Sequence, residues 1–160
     1  MRTRQAPDTA PRAAQATLHH RVQFFETDAM GIVHHANYIR FLEMSRQEWL
    51  DLHDRPYREY VAMGRHFSTT RVEIDYRRAA KFDDRLEVQV WLAWVRGASL
   101  GMRYEVLLDG EILAVAETHH AMVDGDGRPV RIPKERRQSL QSLLGQTDGD
   151  PDPAQAADRP

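Results

Sequence analysis

The sequence predicts an α+β fold in which an antiparallel sheet of about five strands curls around one long central helix. Three observations carry that expectation. Apolar residues recur at helical spacing between Tyr38 and Leu52. From His66 onward the period changes to two and stays there until Val123. The early helix is apolar nearly all round, so the strands that follow have to cover it.

Taken in order, residues 1–17 hold Ala, Pro, Gln and Arg with almost no apolar content. They bury too little to offset ordering entropy and read as a disordered tail. Leu18–Phe25 reads as the first strand, with Leu18, His20, Val22 and Phe24 on one face. Asp28–Gly31 is a turn by composition. Asn37 is the expected N-cap, and the helix runs from Tyr38 with Phe41, Leu42, Ser45, Trp49 and Leu52 on its stripe. Ile39, Met44 and Leu50 widen that stripe. Pro56 ends the helix, because proline disfavours helical geometry in the residue before it. Tyr57–Met63 adds a short helix stopped by Gly64.

Four strands follow. His66–Tyr76 alternates Val72, Ile74 and Tyr76 with charged residues. Leu86–Val95 places Leu86, Val88, Val90, Leu92 and Trp94 on one face, and Leu100–Leu108 does the same with Leu100, Met102, Tyr104, Val106 and Leu108. Asp109-Gly110 is a two-residue hairpin signal leading into Ile112–Val123. Pro133–Leu144 reads as a closing helix with Pro at N1 and Gly145 at C′. Residues 146–160 form an acidic tail, which leaves 18–145 as one folded domain. A single curled sheet leaves edges unpaired, so self-association is expected.

Composition narrows the function. The chain has 160 residues, 41% hydrophobic and 29% charged, as globular domains do. Its formal net charge of −2 gives no electrostatic reason to expect nucleic acid as a partner. Without cysteine, disulfides, thiolate nucleophiles and thiolate metal sites are excluded, and a cytoplasmic setting is compatible. No apolar run reaches the roughly 20 residues of a membrane span. The N-terminus lacks the apolar core of a secretory signal. Lysine occurs only at positions 81 and 134 against abundant arginine, which hints at a GC-rich bacterial source.

The chemistry concentrates in Phe24–Tyr38, FFETDAMGIVHHANY. Asp28 stands at a strand-to-helix turn, where a carboxylate can activate water or attack a carbonyl. The structural alternative is an ordinary Asx-turn or cap residue. The helix start just beyond it has free N–H groups and a dipole that favour negative charge. Gly31 lets backbone approach a substrate closely.

Six of the eight histidines fall in the adjacent pairs His19-His20, His34-His35 and His119-His120. Neighbours on a strand face opposite ways, so the strand pairs cannot each chelate one ion, and no metal is expected. Glu43 on the central helix is an alternative catalytic carboxylate; the competing reading is an ion pair with Arg46. Arg77, Arg78, Lys81 and Arg96 are candidates for phosphate contact, or simply solvated charges. Trp91, Trp94, Met102 and Tyr104 read as strand core or interface before acyl tunnel.

The stretch FFETDAMGIVHHANYIRFLEMSRQEWL, with VEIDYRRAAKFDDRLEVQVWL and DGRPVRIP further on, resembles the hotdog-fold acyl-CoA thioesterases of the 4-hydroxybenzoyl-CoA type. It is closest to the branch of Tol-Pal-associated acyl-CoA thioesterases. Thr27, Asp28, Gly31, Ile32, Val33, His35, Asn37 and Tyr38 match that family's signature. The resemblance implies a catalytic Asp28, with His35 supplying a backbone N–H to the thioester carbonyl and a side chain that assists. It implies a substrate site around Gly31, Ile32, Val33, Asn37, Tyr38 and Phe24. Phe24 stands where the branch often has Tyr, which removes a hydroxyl, and Ala79 stands where the family usually has Pro. A cytoplasmic acyl-CoA thioesterase acting as a homodimer or homotetramer is therefore expected, with no metal or redox cofactor. The competing readings are an acyl-carrier-protein thioesterase, a hotdog dehydratase or hydratase, and a non-catalytic acyl-binding module.

Overall fold

The computed structural model describes residue 12 and residues 14–144 of the 160-residue chain. The elements are β1 (Ala16–Arg21), a 3-10 turn at Phe24–Glu26, α1 (His35–His53), α2 (Tyr57–Ala62), β2 (Arg65–Tyr76), β3 (Arg85–Val95), β4 (Ser99–Leu108), β5 (Glu111–Asp124) and α3 (Lys134–Leu143). The expected tail at 146–160, residues 1–11 and the Gly145 cap lie outside the described residues.

The five strands form one sheet in the order β1-β3-β4-β5-β2, antiparallel throughout. β1 and β2 follow each other in the sequence yet lie at opposite edges. The chain between them has to cross the sheet, and α1 makes that crossing. Five strands span about 19 Å at ~4.8 Å per gap. A helix of 19 residues spans about 28 Å at 1.5 Å each, which is ample.

The core is the one the periodicities specify. α1 buries Tyr38, Phe41, Leu42, Ser45, Trp49 and Leu50. Against it stand Leu86, Val88, Val90 and Leu92 of β3 and Leu100, Met102, Tyr104 and Val106 of β4, all buried. Full burial of such side chains contributes about 1.5–3 kcal/mol each. At the β4–β5 hairpin, Asp109 and Gly110 both take positive φ, 51° and 80°. That is the primed geometry whose twist suits a two-residue hairpin loop.

Several expectations are corrected. α1 is not apolar-covered nearly all round: Leu52 is 66% exposed and Ile39 44%, because the sheet meets only one side of the helix. The helix starts three residues before Tyr38, with His34 and not Asn37 as N-cap. β1 begins at Ala16, inside the stretch expected to be tail. Trp49 Nε1 donates to the Ala14 carbonyl at 2.6 Å, the His53 ring meets the Gln15 carbonyl at 3.1 Å, and Arg12 pairs with Glu105 at 2.7 Å. These contacts hold residues whose composition alone offers no reason to order. β1 also ends at Arg21, so Phe24 leaves the strand face; it is 77% exposed with its ring edge against Phe82. A register shift between Leu92 and Trp94 reverses the parity of β3. Trp94 therefore leaves the core face and packs on Gly101 and His119, while Val95 turns inward. Pro133 is the N-cap of α3 rather than its first helical residue.

Candidate active site

Two segments fix the stretch between β1 and α1. The first is the β2–β3 connection. The Val33 N–H donates to the Ala80 carbonyl at 2.8 Å, Ile32 bridges Lys81, and the Tyr38 hydroxyl accepts from the Ala80 N–H at 3.3 Å. The second is Glu26, a carboxylate only 5% exposed. Its side chain meets His20 Nε2 at 2.9 Å and accepts from the Gln23 N–H at 2.8 Å. Its backbone carbonyl accepts from the His34 N–H at 2.9 Å and from Asn37 Nδ2 at 2.7 Å. One buried residue thus ties β1, the loop and the first turn of α1 together. Asn37 serves the site as this anchor and not as a cap.

Between those anchors the chain turns tightly. Thr27 bridges Val33, the Asp28 N–H donates to the Ile32 carbonyl at 2.9 Å, and the Gly31 N–H donates to the Asp28 carbonyl at 2.9 Å. Gly31 sits at φ +75°, a conformation that costs other residues about 1–2 kcal/mol. Asp28 is half-buried, and its Oδ1 accepts from the Met30 N–H at 2.8 Å. That is the Asx-turn the bland reading anticipates. It occupies only one oxygen: no described residue donates to Oδ2.

The start of α1 is committed in the same partial way. The His34 N–H goes to Glu26, the Ala36 N–H to His34 Nδ1 at 3.2 Å, and the Asn37 N–H to the His34 carbonyl at 2.9 Å. The His35 N–H has no acceptor among the described residues. A free donor at a helix N-terminus is a place where negative charge is favoured. The His35 ring is exposed and stacks on His34 at 4.2 Å, and its carbonyl accepts from the Tyr76 hydroxyl at 2.9 Å. Phe24, Phe25, Met30 and Phe82 expose apolar surface around this loop, from 53% to 77% each.

A second feature lies along the same helix. A cavity of about 170 Å³ opens between α1 and strands β2, β4 and β5. Ile39, Leu42, Phe67 and Val72 give it apolar walls. Its polar lining includes a hydrogen-bonded chain that runs from buried Tyr104 to exposed Thr69: Tyr104 Oη to Thr118 Oγ1 at 2.9 Å, Thr118 Oγ1 to His120 Nε2 at 2.7 Å, and His120 Nδ1 to Thr69 Oγ1 at 3.3 Å. Burial first, with the nearby Arg46 and His119 charges adding to it, pushes the His120 pKa down to about 3. Burial pushes the Tyr104 hydroxyl up to about 12. Glu43 lines the mouth of this cavity. Among the described residues it makes no ion pair, with Arg46 or any other cation.

The histidine pairs divide as strand geometry requires. His20 meets Glu26 while His19 is exposed; His120 is buried while His119 turns to Glu117 on the other face at 2.9 Å. Among the described residues no three His, Asp or Glu are grouped closely enough to hold an ion. Of the cationic candidates, Arg78 pairs with Glu111 and Arg96 lies over the Trp94 ring at 4.8 Å. The structure does not bring these two to Asp28. Sequence reasoning missed Glu26–His20 and the Tyr104–Thr118–His120–Thr69 chain. The alternation of β5, with Ala114, Thr118, His120 and Met122 inward, held the signal for the second.

The chain matches the thioesterase-like superfamily over residues 22–141. It is 38% identical over 115 residues to a putative esterase of Aquifex aeolicus, covering 72% of this chain and 89% of that one. It is 33% identical over 127 residues to the acyl-CoA thioesterase YbgC of Haemophilus influenzae, covering 77% and 92%. The crystal structure of the hypothetical protein TT1821 from Thermus thermophilus superposes with a TM-score of 0.76 at 33% identity, covering 80% of this chain and 98% of that one.

Proposed function

This chain belongs to the thioesterase-like superfamily and is a thioester hydrolase with the hotdog fold; from that premise we propose that it hydrolyses acyl-CoA, with Asp28 and the N-terminus of α1 as its catalytic pair. The observation that carries the reading is a pair of uncommitted groups flanking a turn whose Asp28, Met30, Gly31, Val33 and His34 N–H groups are all bonded. Asp28 Oδ2 and the His35 N–H are seven residues apart and free of partners among the described residues. The N–H donates to the oxygen of the thioester as it becomes anionic. A donor in that role supplies about 2.7–4 kcal/mol of transition-state stabilisation. Asp28 takes a proton from water, which attacks the carbonyl carbon. The C–S bond then breaks, and the proton passes to the CoA sulfur. In the other sequence of events Asp28 attacks the carbonyl itself and water cleaves the resulting anhydride. The His35 ring, exposed beside the helix start, assists at the leaving group. Gly31, Ile32 and Val33 form the backbone floor against which the thioester lies, Tyr38 closes the core beneath it, and Phe24 adds apolar surface at its rim.

The reading includes self-association. β2 is an unpaired sheet edge 12 residues long, and Val72, Tyr76 and Ile39 beside it are exposed. A long edge with apolar neighbours is a template for pairing with a second copy. A homodimer or homotetramer would share the site across that edge, in a cytoplasmic setting.

The test is thiol release from a panel of short, long and aromatic acyl-CoAs and the corresponding acyl-carrier-protein thioesters, with Asp28→Asn alongside. Release from acyl-CoAs is expected, falling about 10²–10⁴-fold in kcat in the variant. No release from any acyl-CoA, or full activity in Asp28→Asn, would overturn the reading. A single turnover in ¹⁸O water places label in Asp28 only if it is the nucleophile. A fully active monomer in sedimentation would remove the shared site.

A further inference from the structure

The Tyr104–Thr118–His120–Thr69 chain in the α1 cavity has one hydrogen more than it has links to make. Tyr104, Thr118 and Thr69 each bring one hydroxyl hydrogen, and a neutral imidazole brings one N–H. Three links join the four groups. If the proton is on His120 Nε2, it goes to Thr118, the Thr118 hydrogen goes to Tyr104, and the Tyr104 hydroxyl is left with a free hydrogen. If the proton is on Nδ1, it goes to Thr69, Thr118 donates back to Nε2, Tyr104 donates to Thr118, and the Thr69 hydroxyl is left with one. In a third arrangement the His120 Nε2–H and the Tyr104 hydroxyl both donate to Thr118, whose own hydrogen is then left over. One donor therefore stands free on the chain in either tautomer.

All four side chains line the cavity. Arg46 lines it too, close enough for its charge to act on both Tyr104 and His120. No described residue forms an ion pair with its guanidinium, which stands within hydrogen-bonding reach of the Tyr104 hydroxyl. The only acid on the lining is Glu43, and that side chain is exposed at the mouth. The Tyr104 end, buried where Thr69 is exposed, thus holds more donors than acceptors, and a buried donor left without a partner is costly. Ile39 begins the lining one helical turn beyond His35, about 6 Å along the axis at 1.5 Å per residue. At about 170 Å³ the cavity is of the size class that admits one benzene ring.

We infer that this cavity selects acyl groups that carry an oxygen acceptor at the end remote from the thioester. The inference rests on the acyl-CoA reading above. The acyl group lies along α1 against Ile39, Leu42 and Val72. Its distal oxygen accepts from the free hydroxyl of Tyr104 or Thr69 and from Arg46. Proton position on His120 shifts the donor between the two hydroxyls, so acceptors at slightly different depths are served by one site. A plain alkyl end leaves these donors unpaired.

The test compares 5-oxohexanoyl-CoA with its near-isostere 5-methylhexanoyl-CoA, using the full chain and reading the ratio of kcat/KM for the two. The wild type is expected to favour the oxo substrate about tenfold, the factor that corresponds to one hydrogen bond gained against one donor left bare. In Tyr104→Phe with Thr69→Val the spare hydrogen retreats to Thr118 or His120, and the ratio should fall toward one. Arg46→Met, a change on a half-exposed helix position, should lower the ratio while leaving the three links of the chain in place, and covers the case in which the double variant fails to fold. A wild-type ratio below about two, or a ratio that survives both sets of substitutions, overturns the inference while leaving the hydrolase reading intact. No thiol release from either substrate or from any plain acyl-CoA overturns both.

Discussion

Lowering the pH from 7 to 5 should destabilise this protein through one residue, His120. Its folded pKa is depressed to about 3, first by burial and then by the nearby positive charges of Arg46 and His119. An unfolded histidine titrates near 6.5. Between those values the unfolded chain binds a proton that the folded chain refuses, so stability rises with pH through that window and is lost as pH falls. At pH 5 the unfolded side chain is almost fully protonated and the folded one almost not at all. The difference is about 1.5 units at 1.36 kcal/mol each, or roughly 2 kcal/mol relative to neutral pH. For a domain of this size that is about 4–8 °C in Tm. Thermal unfolding of the wild type and of His120→Gln at pH 7, 6 and 5, at one protein concentration, reads the effect. Glutamine keeps a hydrogen-bonding end for Thr118 but has nothing to titrate. The wild type should lose those degrees and the variant should not, since all other histidines are common to both. An acid-induced drop of the same size in His120→Gln would refute the reasoning.

Two other substitutions probe different parts of the fold. Glu26→Gln keeps the shape of the buried anchor but removes the charge that His20 and the Gln23 N–H meet; hydrogen bonds to a charged group contribute about 1.5–3 kcal/mol, so the urea midpoint should fall by a corresponding amount and kcat should fall with it, because the same residue holds His34 and Asn37. An unchanged kcat would detach the anchor from the site. Gly101→Ala places a methyl group where the Trp94 indole lies over the backbone, on a ring already held by His119 at 5.0 Å and Arg96 at 4.8 Å. Overpacking of that kind costs about 1–3 kcal/mol, and Trp94 fluorescence should shift as the ring is displaced; a Tm within 1 °C of wild type would contradict the close packing.

What was legible in the sequence follows the reach of each interaction. The inward faces of β3 and β4 were plain because alternation is a local rule, and Leu86, Val88, Val90, Met102, Tyr104 and Val106 obey it. The rule failed at Trp94, where a bulge inserts one residue and the sequence carries no mark of it. The start of α1 was misplaced by three residues because Asn37 is the better cap by type. His34 displaces it since its Nδ1 reaches the Ala36 N–H and its own N–H is already held by Glu26. Ala14 and Gln15 are ordered by Trp49 and His53, 35 and 38 residues away, which composition at residues 1–17 cannot announce.

The same distinction separates the two halves of the site. Asp28, Gly31 and His35 lie within eight residues, so a motif could display them, and the geometry there rests on bonds between near neighbours. Even Glu26 and His20 are only six apart. The cavity is built otherwise. Thr69 and His120 are 51 residues apart, and Tyr104 and Thr118 meet only because β4 and β5 are paired in one register. Arg46 joins them from a helix on the facing layer. The turn proposed as catalytic is thus fixed by its own short stretch and by the β2–β3 connection, while the groups proposed to face the acyl chain are fixed by sheet register. Substitutions at Thr69, Tyr104 or Arg46 leave every hydrogen bond of the Asp28 turn in place. On the proposed reading, substitutions in the strands alone change the acyl group accepted and leave the turn proposed for hydrolysis untouched.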